Sequence, residues 1–373
     1  MQIRQNKIVF VLLSLWLGFS ACKEGPEETK PCEFDLGAMQ QHLGTELIVP
    51  AWNEMATKAK ALDDAAKAFA ETTGQNTLQA LQNAHKEAHL AVQAVTSLNF
   101  GPAIDMGFDY RERINTFPTS EAGVDQAVAD KLFDVENSFK SVVGLPAIAY
   151  LIYGPIGSSD AEVLTSLEDM DRVEYLLLLT AQVEKRSKEV ADAWSPSGGD
   201  YLAGFASSSG SGEGSAIALL ANELNFDFET VKNFKFKLPL GRLNGGVIQL
   251  KKAEGYHAGN SLELAEANLR ALYNLYRGGT SAANDLSLEG YLRCLKTGEE
   301  LDEGLLADEI EAQWQTIFSS LEPLNDPLTT RLEDDKSTVD DVYLNTQQMV
   351  PLLKREMTAA IGVRIVYNDN DGD

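Results

Sequence analysis

The 373-residue chain is 44% hydrophobic and 23% charged, an ordinary globular balance with room for one large domain or two of common size. Its formal net charge of -25 leaves no excess of Lys or Arg to displace phosphate counterions, which argues against nucleic acid as a partner. An acidic surface favours solubility and cations instead.

Residues 1–21 place Arg4 and Lys7 before an apolar run, Ile8 to Phe19, and then Ser20 and Ala21 before Cys22. This is the pattern of a secretory leader, too short and wrongly flanked for a stable membrane span. Small residues directly before a cysteine resemble a bacterial lipobox, which implies cleavage before Cys22 and lipidation of its thiol; an ordinary leader with an incidental cysteine is the alternative. Residues 22–34, with KEGPEETKPCE, read as a tether. The expected location is the bacterial cell envelope, lipid-anchored to the outer membrane, on its periplasmic face or at the cell surface. Cys32 and Cys294 then remain for an oxidising compartment, and spacing alone leaves open whether they pair.

From Phe34 the pattern is helical almost everywhere. Asp35 to Ala70 is rich in Ala, Lys, Leu and Met, with Pro50 expected to kink or divide it. Thr77 to Leu98 carries one apolar stripe through Leu78, Leu81, Ala84, Ala88, Ala91, Val92 and Val95. Further helices are expected over Ala161–Ala193, Ser215–Asn233, Ser261–Tyr276, Leu301–Leu321 and Thr338–Ala360. With no series of alternating strands, the class is all-α. A Gly/Ser-rich break from Ser195 to Gly214 divides the folded chain, so the expected domains are two packed four-helix-bundle-like halves, residues 35–200 and 201–373. Gly210, Gly212 and Gly214 lead into a helix, but no strand precedes them, and they read as linker rather than a phosphate loop.

Candidate chemistry is sparse. His85 and His89, four apart in HKEAH, have metal-ligand spacing on one helical face, yet Lys86 stands where a zincin places its glutamate base. The bland reading is a solvated or partly buried face. Glu254 and His257 in EGYHAGNS have the Glu-x-x-His spacing of di-iron bundles, but only one such motif occurs, and Asn260 or Ser261 reads as the cap of the next helix. The terminal NDNDGD is like part of a calcium loop, with Tyr367 where the first aspartate belongs and no last acidic ligand.

Several stretches, in order, resemble the imelysin family of bacterial envelope proteins, also known as M75 peptidases or iron-regulated protein A. They are LNFGPA at Leu98–Ala103, NTFPTS at Asn115–Ser120, GLPAIAYLIYG from Gly144, Asn222 with KFKLPLG at Lys235–Gly241, EGYHAGNS from Glu254, and IGVRIVYNDNDGD at the end. The resemblance covers roughly Phe34 to Asp373 and implies two bundles related by an internal duplication, with a link to iron or haem acquisition. The family's Gly-x-His-x-x-Glu signature falls on Gly144 to Ala149, where Pro146 replaces the histidine and Ala149 the glutamate. Neither side chain has a lone pair or an exchangeable proton. GLPAIAYLIYG is therefore expected to be a buried helix with its proline in the first turn.

The leading reading is an envelope-anchored, non-catalytic binding or accessory lipoprotein, held at the membrane by its lipid and working with an iron or haem uptake partner. Its expected ligand cleft is built from Glu254, His257 and Ser261 with Gly144, Pro146 and Ala149 as wall. A bound metal, iron or another divalent ion, would draw on His85, His89, Glu254 and His257. The alternatives are an M75-type metallopeptidase, which the altered signature opposes, and a structural or surface-interaction lipoprotein.

Overall fold

Ala- and Leu-rich stretches with few β-branched runs form helices along the whole computed structural model, which describes residues 32–104, 108–131, 133–279, 285–295 and 305–367. No strand occurs among the described residues. The leader, Cys22 and the terminal NDNDGD lie outside them. No helix among the described residues is long and apolar enough to cross a membrane.

Asp35 starts α1 (Leu36–Leu43) by accepting from the Ala38 N–H at 2.9 Å. A π turn over Gly44–Ile48 then leads into α2 (Val49–Glu71), and Pro50 sits in the first turn of α2, where its missing N–H is no loss. The interruption expected at Pro50 thus falls on the π turn before it. α2 packs between α3 (Gln75–Val92) and, beyond α4 (Tyr110–Ile114), α5 (Glu121–Ala129), α6 (Gly144–Tyr153) and α7 (Asp160–Ser166), the long α8 (Met170–Trp194). The run expected over Ala161–Ala193 is two helices because two caps restart it. Ser159 and Glu162 form a capping box on α7, and Asp169 accepts from Asp171 N on α8.

Large aromatics fill this half. Trp52 meets Tyr110 edge-on at 4.8 Å, and the Tyr110 hydroxyl, 2.6 Å from Ser187 Oγ, satisfies its polar end inside the core. α6 lies against α3 and α8 with nine of its ten residues buried, which makes it the core helix that its apolar sequence predicts.

A short α9 (Tyr201–Ala206) occupies the Gly/Ser-rich break, and Ser215 caps α10 (Ala216–Thr230). A π segment, Val231–Lys237, extends α10 and is marked by the Leu238 N–H bonded to Asn233 O at 2.9 Å. α11 (Ser261–Arg277), α12 (Leu288–Leu295), α13 (Leu306–Leu321), α14 (Leu328–Asp334) and α15 (Lys336–Pro351) follow, and a second π segment leads to α16 (Thr358–Ala360). Trp314 anchors this core between Phe228, edge-on at 5.4 Å, and Phe318, stacked at 5.9 Å. Asn222 clamps the end of the described chain, donating to Arg364 O and accepting from Val366 N. Cys32 and Cys294 are both disulfide-bonded.

Candidate ligand cleft

Gly144 opens α6 with φ +76°, and a Cβ there would stand 2.4 Å from the Ile114 carbonyl oxygen, so only glycine starts the helix at this depth. Pro146 and Ala149, three apart and hence on one helical face, then form part of the wall of a cleft of about 840 Å³. Phe117 to Ala122, where the chain enters α5, make another side. Ile248 to Ala253 with Gly255, Tyr256 and His257 make the opposite one, and His89 of α3 reaches the lining. Its size is within the range of small-molecule sites. At Gly255, φ is +66° and a Cβ would meet Asn260 Oδ1 at 2.6 Å; this tight turn separates the buried Glu254 from the cleft-lining Tyr256 and His257.

Two groups link the walls. Lys251 Nζ lies 3.0 and 3.1 Å from the two Glu121 carboxylate oxygens, and His257 Nε2 is 3.9 Å from the same carboxylate. His257 donates from Nδ1 to the Gly154 carbonyl at 2.9 Å. Burial lowers its pKa, outweighing the opposite pull of that carbonyl and of Glu121, so the ring is neutral with Nε2 as a lone pair.

Behind the lining lies a buried polar network. Glu254 Oε1 accepts from Gln93 Nε2 at 2.8 Å and from Asn115 Nδ2 at 2.7 Å, while Lys235 Nζ stands 2.7 Å from Oε2 and donates to Gln93 Oε1 at 2.6 Å. Lys235 comes from the π segment after α10. Burial pushes the Glu254 carboxyl up, but the Lys235 ammonium and the His89 hydrogen bond outweigh it and hold it well below the usual range. A neighbouring cluster repeats the theme, with Asp227 Oδ2 accepting from Thr96 Oγ1 at 2.8 Å and from Asn268 Nδ2 at 2.7 Å. There burial dominates and the Asp227 pKa is raised.

These partners orient the His89 ring through Nε2. Asn115 gives its amide nitrogen to Glu254, so its Oδ1 faces His89 Nε2 at 3.0 Å, with Glu254 Oε1 at 3.4 Å. Both neighbours accept, so Nε2 carries the proton. Among the described residues no protein group bonds its Nδ1.

Of the residues expected in a cleft, Pro146, Ala149 and His257 line it, Glu254 lies directly behind it, and Gly144 is buried at the start of α6. Ser261 is buried in the first turn of α11, outside the lining, and neither it nor Asn260 caps that helix. Asp326 does so, accepting from Leu262 and Glu263 N–H at 2.9 Å each. His85 and His89 are not on a solvated face: both are fully buried, because their polar edges find partners in Leu145 O and Asn115. Lys235, Gln93 and Asn115 escape a reading for chemistry, although Lys235 and Asn115 sit in the KFKLPLG and NTFPTS stretches.

The residues present do not fit a bare divalent ion held by protein side chains. Pro146 and Ala149 offer no donor, and the Glu254 carboxylate is already engaged by Lys235, Gln93, Asn115 and His89. Among the described residues no group of three or more His, Cys, Asp or Glu side chains stands close enough to hold a metal.

An all-α scaffold with a cleft of about 840 Å³ over a neutralised ionic core defines the class of protein. Its family follows from comparison: the Imelysin (Peptidase M75) family model matches residues 48–347, and the chain belongs to that family. Two solved structures share the fold. A protein described as an iron-regulated protein A precursor from Parabacteroides distasonis superposes with TM-score 0.74 at 18% identity, over 90% of this chain and 97% of the other. An imelysin-like protein from Psychrobacter arcticum gives TM-score 0.67 at 20% identity, over 91% and 100%. No curated protein matches the sequence.

Proposed function

We propose that the protein is an imelysin-like lipoprotein, anchored through lipidated Cys22 to a bacterial outer membrane, which binds a small ligand in the cleft without catalysis and serves iron or haem acquisition together with an uptake partner. Membership of the imelysin family supports the assignment, and the description of one structural neighbour as iron-regulated supports the iron link. The observation that carries the non-catalytic reading is the engagement of Glu254: this carboxylate, directly behind the cleft, is matched by a buried ammonium and holds three further hydrogen-bonding groups, so it has no capacity left to ligate a metal or to take a proton from water. A zinc peptidase needs an open metal held by about three protein ligands and a base, and Pro146 and Ala149 stand where the signature would supply two of these groups.

The test is elemental mass spectrometry of the untagged protein after titration with iron and with zinc, purified without chelator. The expected result is no stoichiometric metal. One firmly held ion per chain overturns the reading and returns the peptidase alternative.

A further inference from the structure

We infer that the cleft takes an organic monoanion, a largely apolar framework bearing one carboxylate or sulfonate, whose charged group pairs with the Lys252 ammonium. The inference rests on the proposed binding role of the cleft and narrows its ligand class.

Three carboxylate or ammonium side chains line the cleft: Glu121, Lys251 and Lys252. The first two cancel, since Lys251 Nζ stands 3.0 and 3.1 Å from the Glu121 oxygens. His257, whose pKa is lowered by burial, adds no charge at neutral pH. Two lysines against one carboxylate leave one positive charge in the cleft of a chain whose net charge is -25. That charge is Lys252, which is half-buried and whose ammonium makes no hydrogen bond or ion pair among the described residues. An ammonium partly withdrawn from water without a partner is held at a cost, and an incoming anion offsets it.

The remaining lining decides what carries the anion. Phe117, Ile248, Leu250 and Tyr256 present apolar and aromatic surface, and Pro146 with Ala149 adds wall without a polar side-chain atom. A small inorganic anion would leave this surface wet and most of the 840 Å³ unfilled, whereas an organic framework covers it. The cleft also holds too little positive charge for a polyanion. A second negative group would meet Glu121, whose counter-charge is already Lys251, and like charges brought together oppose binding.

Anilinonaphthalene sulfonate, a fluorescent aromatic monoanion, is the probe, and phenylnaphthylamine, the same framework without the sulfonate, is its uncharged comparison. Both are titrated into the untagged full chain, into Lys252→Gln and Lys252→Arg, and into Lys188→Gln, an exposed position of α8 outside the lining. The expected result is saturable binding of the sulfonate, weakened roughly tenfold in Lys252→Gln, restored in Lys252→Arg and unchanged in Lys188→Gln. The uncharged probe is expected to bind more weakly and to ignore all three substitutions. Equal sulfonate binding by Lys252→Gln overturns the inference, as does an uncharged probe that binds as tightly as the sulfonate, or a wild type that binds neither. Should Lys252→Gln fail to fold, the comparison of the two probes on the wild type decides without it. The metal titration tests the proposed function separately: stoichiometric uptake of an ion overturns that reading, whereas binding of both probes regardless of charge overturns only the choice of an anion.

Discussion

Lys235 Nζ lies 2.7 Å from Glu254 Oε2, and the two side chains are only 3% and 1% exposed. The pair joins the π segment after α10 to the turn before α11, and Gln93 of the segment following α3 bonds to both partners. Two charges this deep are tolerable only together, because each would otherwise meet the full cost of desolvation.

Removing one partner should therefore cost far more than removing the charge from both. Lys235→Met is expected to lose about 3–5 kcal/mol of stability. Adding Glu254→Gln should restore a large part of it, since glutamine keeps an oxygen for Gln93 and Asn115 while shedding the buried charge. Denaturant unfolding of the two single variants and the double gives the coupling; losses that simply add would show that the pair is not an energetic unit.

Acid should weaken the fold through His85. Burial and the neighbouring His89 hold its pKa down to about 3, against the pull of the Leu145 carbonyl, from an ordinary value of 6.5. Between these values the unfolded chain binds a proton that the folded chain refuses, so stability falls as pH drops below 6.5 and is fully present above it. One such group contributes up to about 1.4 kcal/mol per pH unit. In His85→Gln the loss between about pH 7 and about pH 5 should be smaller than in the wild type by about 2 kcal/mol, read from urea unfolding. Identical losses would rule out a ring that stays neutral when folded.

The entry of α6 depends on one glycine. Alanine at Gly144 would combine φ +76° with a Cβ 2.4 Å from Ile114 O and 2.7 Å from Arg113 O, both backbone atoms with little room to move. Gly144→Ala is expected to cost about 2 kcal/mol or more. Gly204→Ala, inside α9 with nothing within 4 Å of the added carbon, should be neutral or stabilise by up to about 1 kcal/mol. Thermal unfolding of both variants tests the contrast, and a harmless Gly144→Ala would mean that α6 can shift.

The all-α class was legible because period and length agree: α3 shows its apolar stripe in the sequence, and α6 is apolar on every side and buried on every side. What could not be read was the pairing of polar residues across helices. Lys235 looks like any lysine between two phenylalanines, and only the π segment and the distant Glu254 make it a core residue. His89 likewise gained meaning from Asn115, at the end of α4, and from Glu254, 165 positions further along the chain, a contact that no local period encodes. Pro146 and Ala149 drew attention because their stretch carried a family pattern, and His257 because of its own imidazole side chain; all three line the cleft. Ser261 was misplaced because a serine before a helix looks like a cap or a site, and here Asp326 does the capping.

That pattern also says how the cleft could be converted. Pro146 and Ala149 both line it and stand one helical turn apart, so a histidine at the first and a glutamate at the second would share a face and a cavity with His89 and His257. The first turn of α6 tolerates the loss of proline, since Pro146 supplies a preset backbone angle there but no hydrogen bond. The double variant Pro146→His, Ala149→Glu is expected to bind zinc at least about tenfold more tightly than the wild type, as the new donors add to an imidazole lone pair already in place. Competition against a zinc-sensitive dye measures it. Unchanged affinity would mean that the two positions, though in one cavity, do not converge on a common point with either histidine.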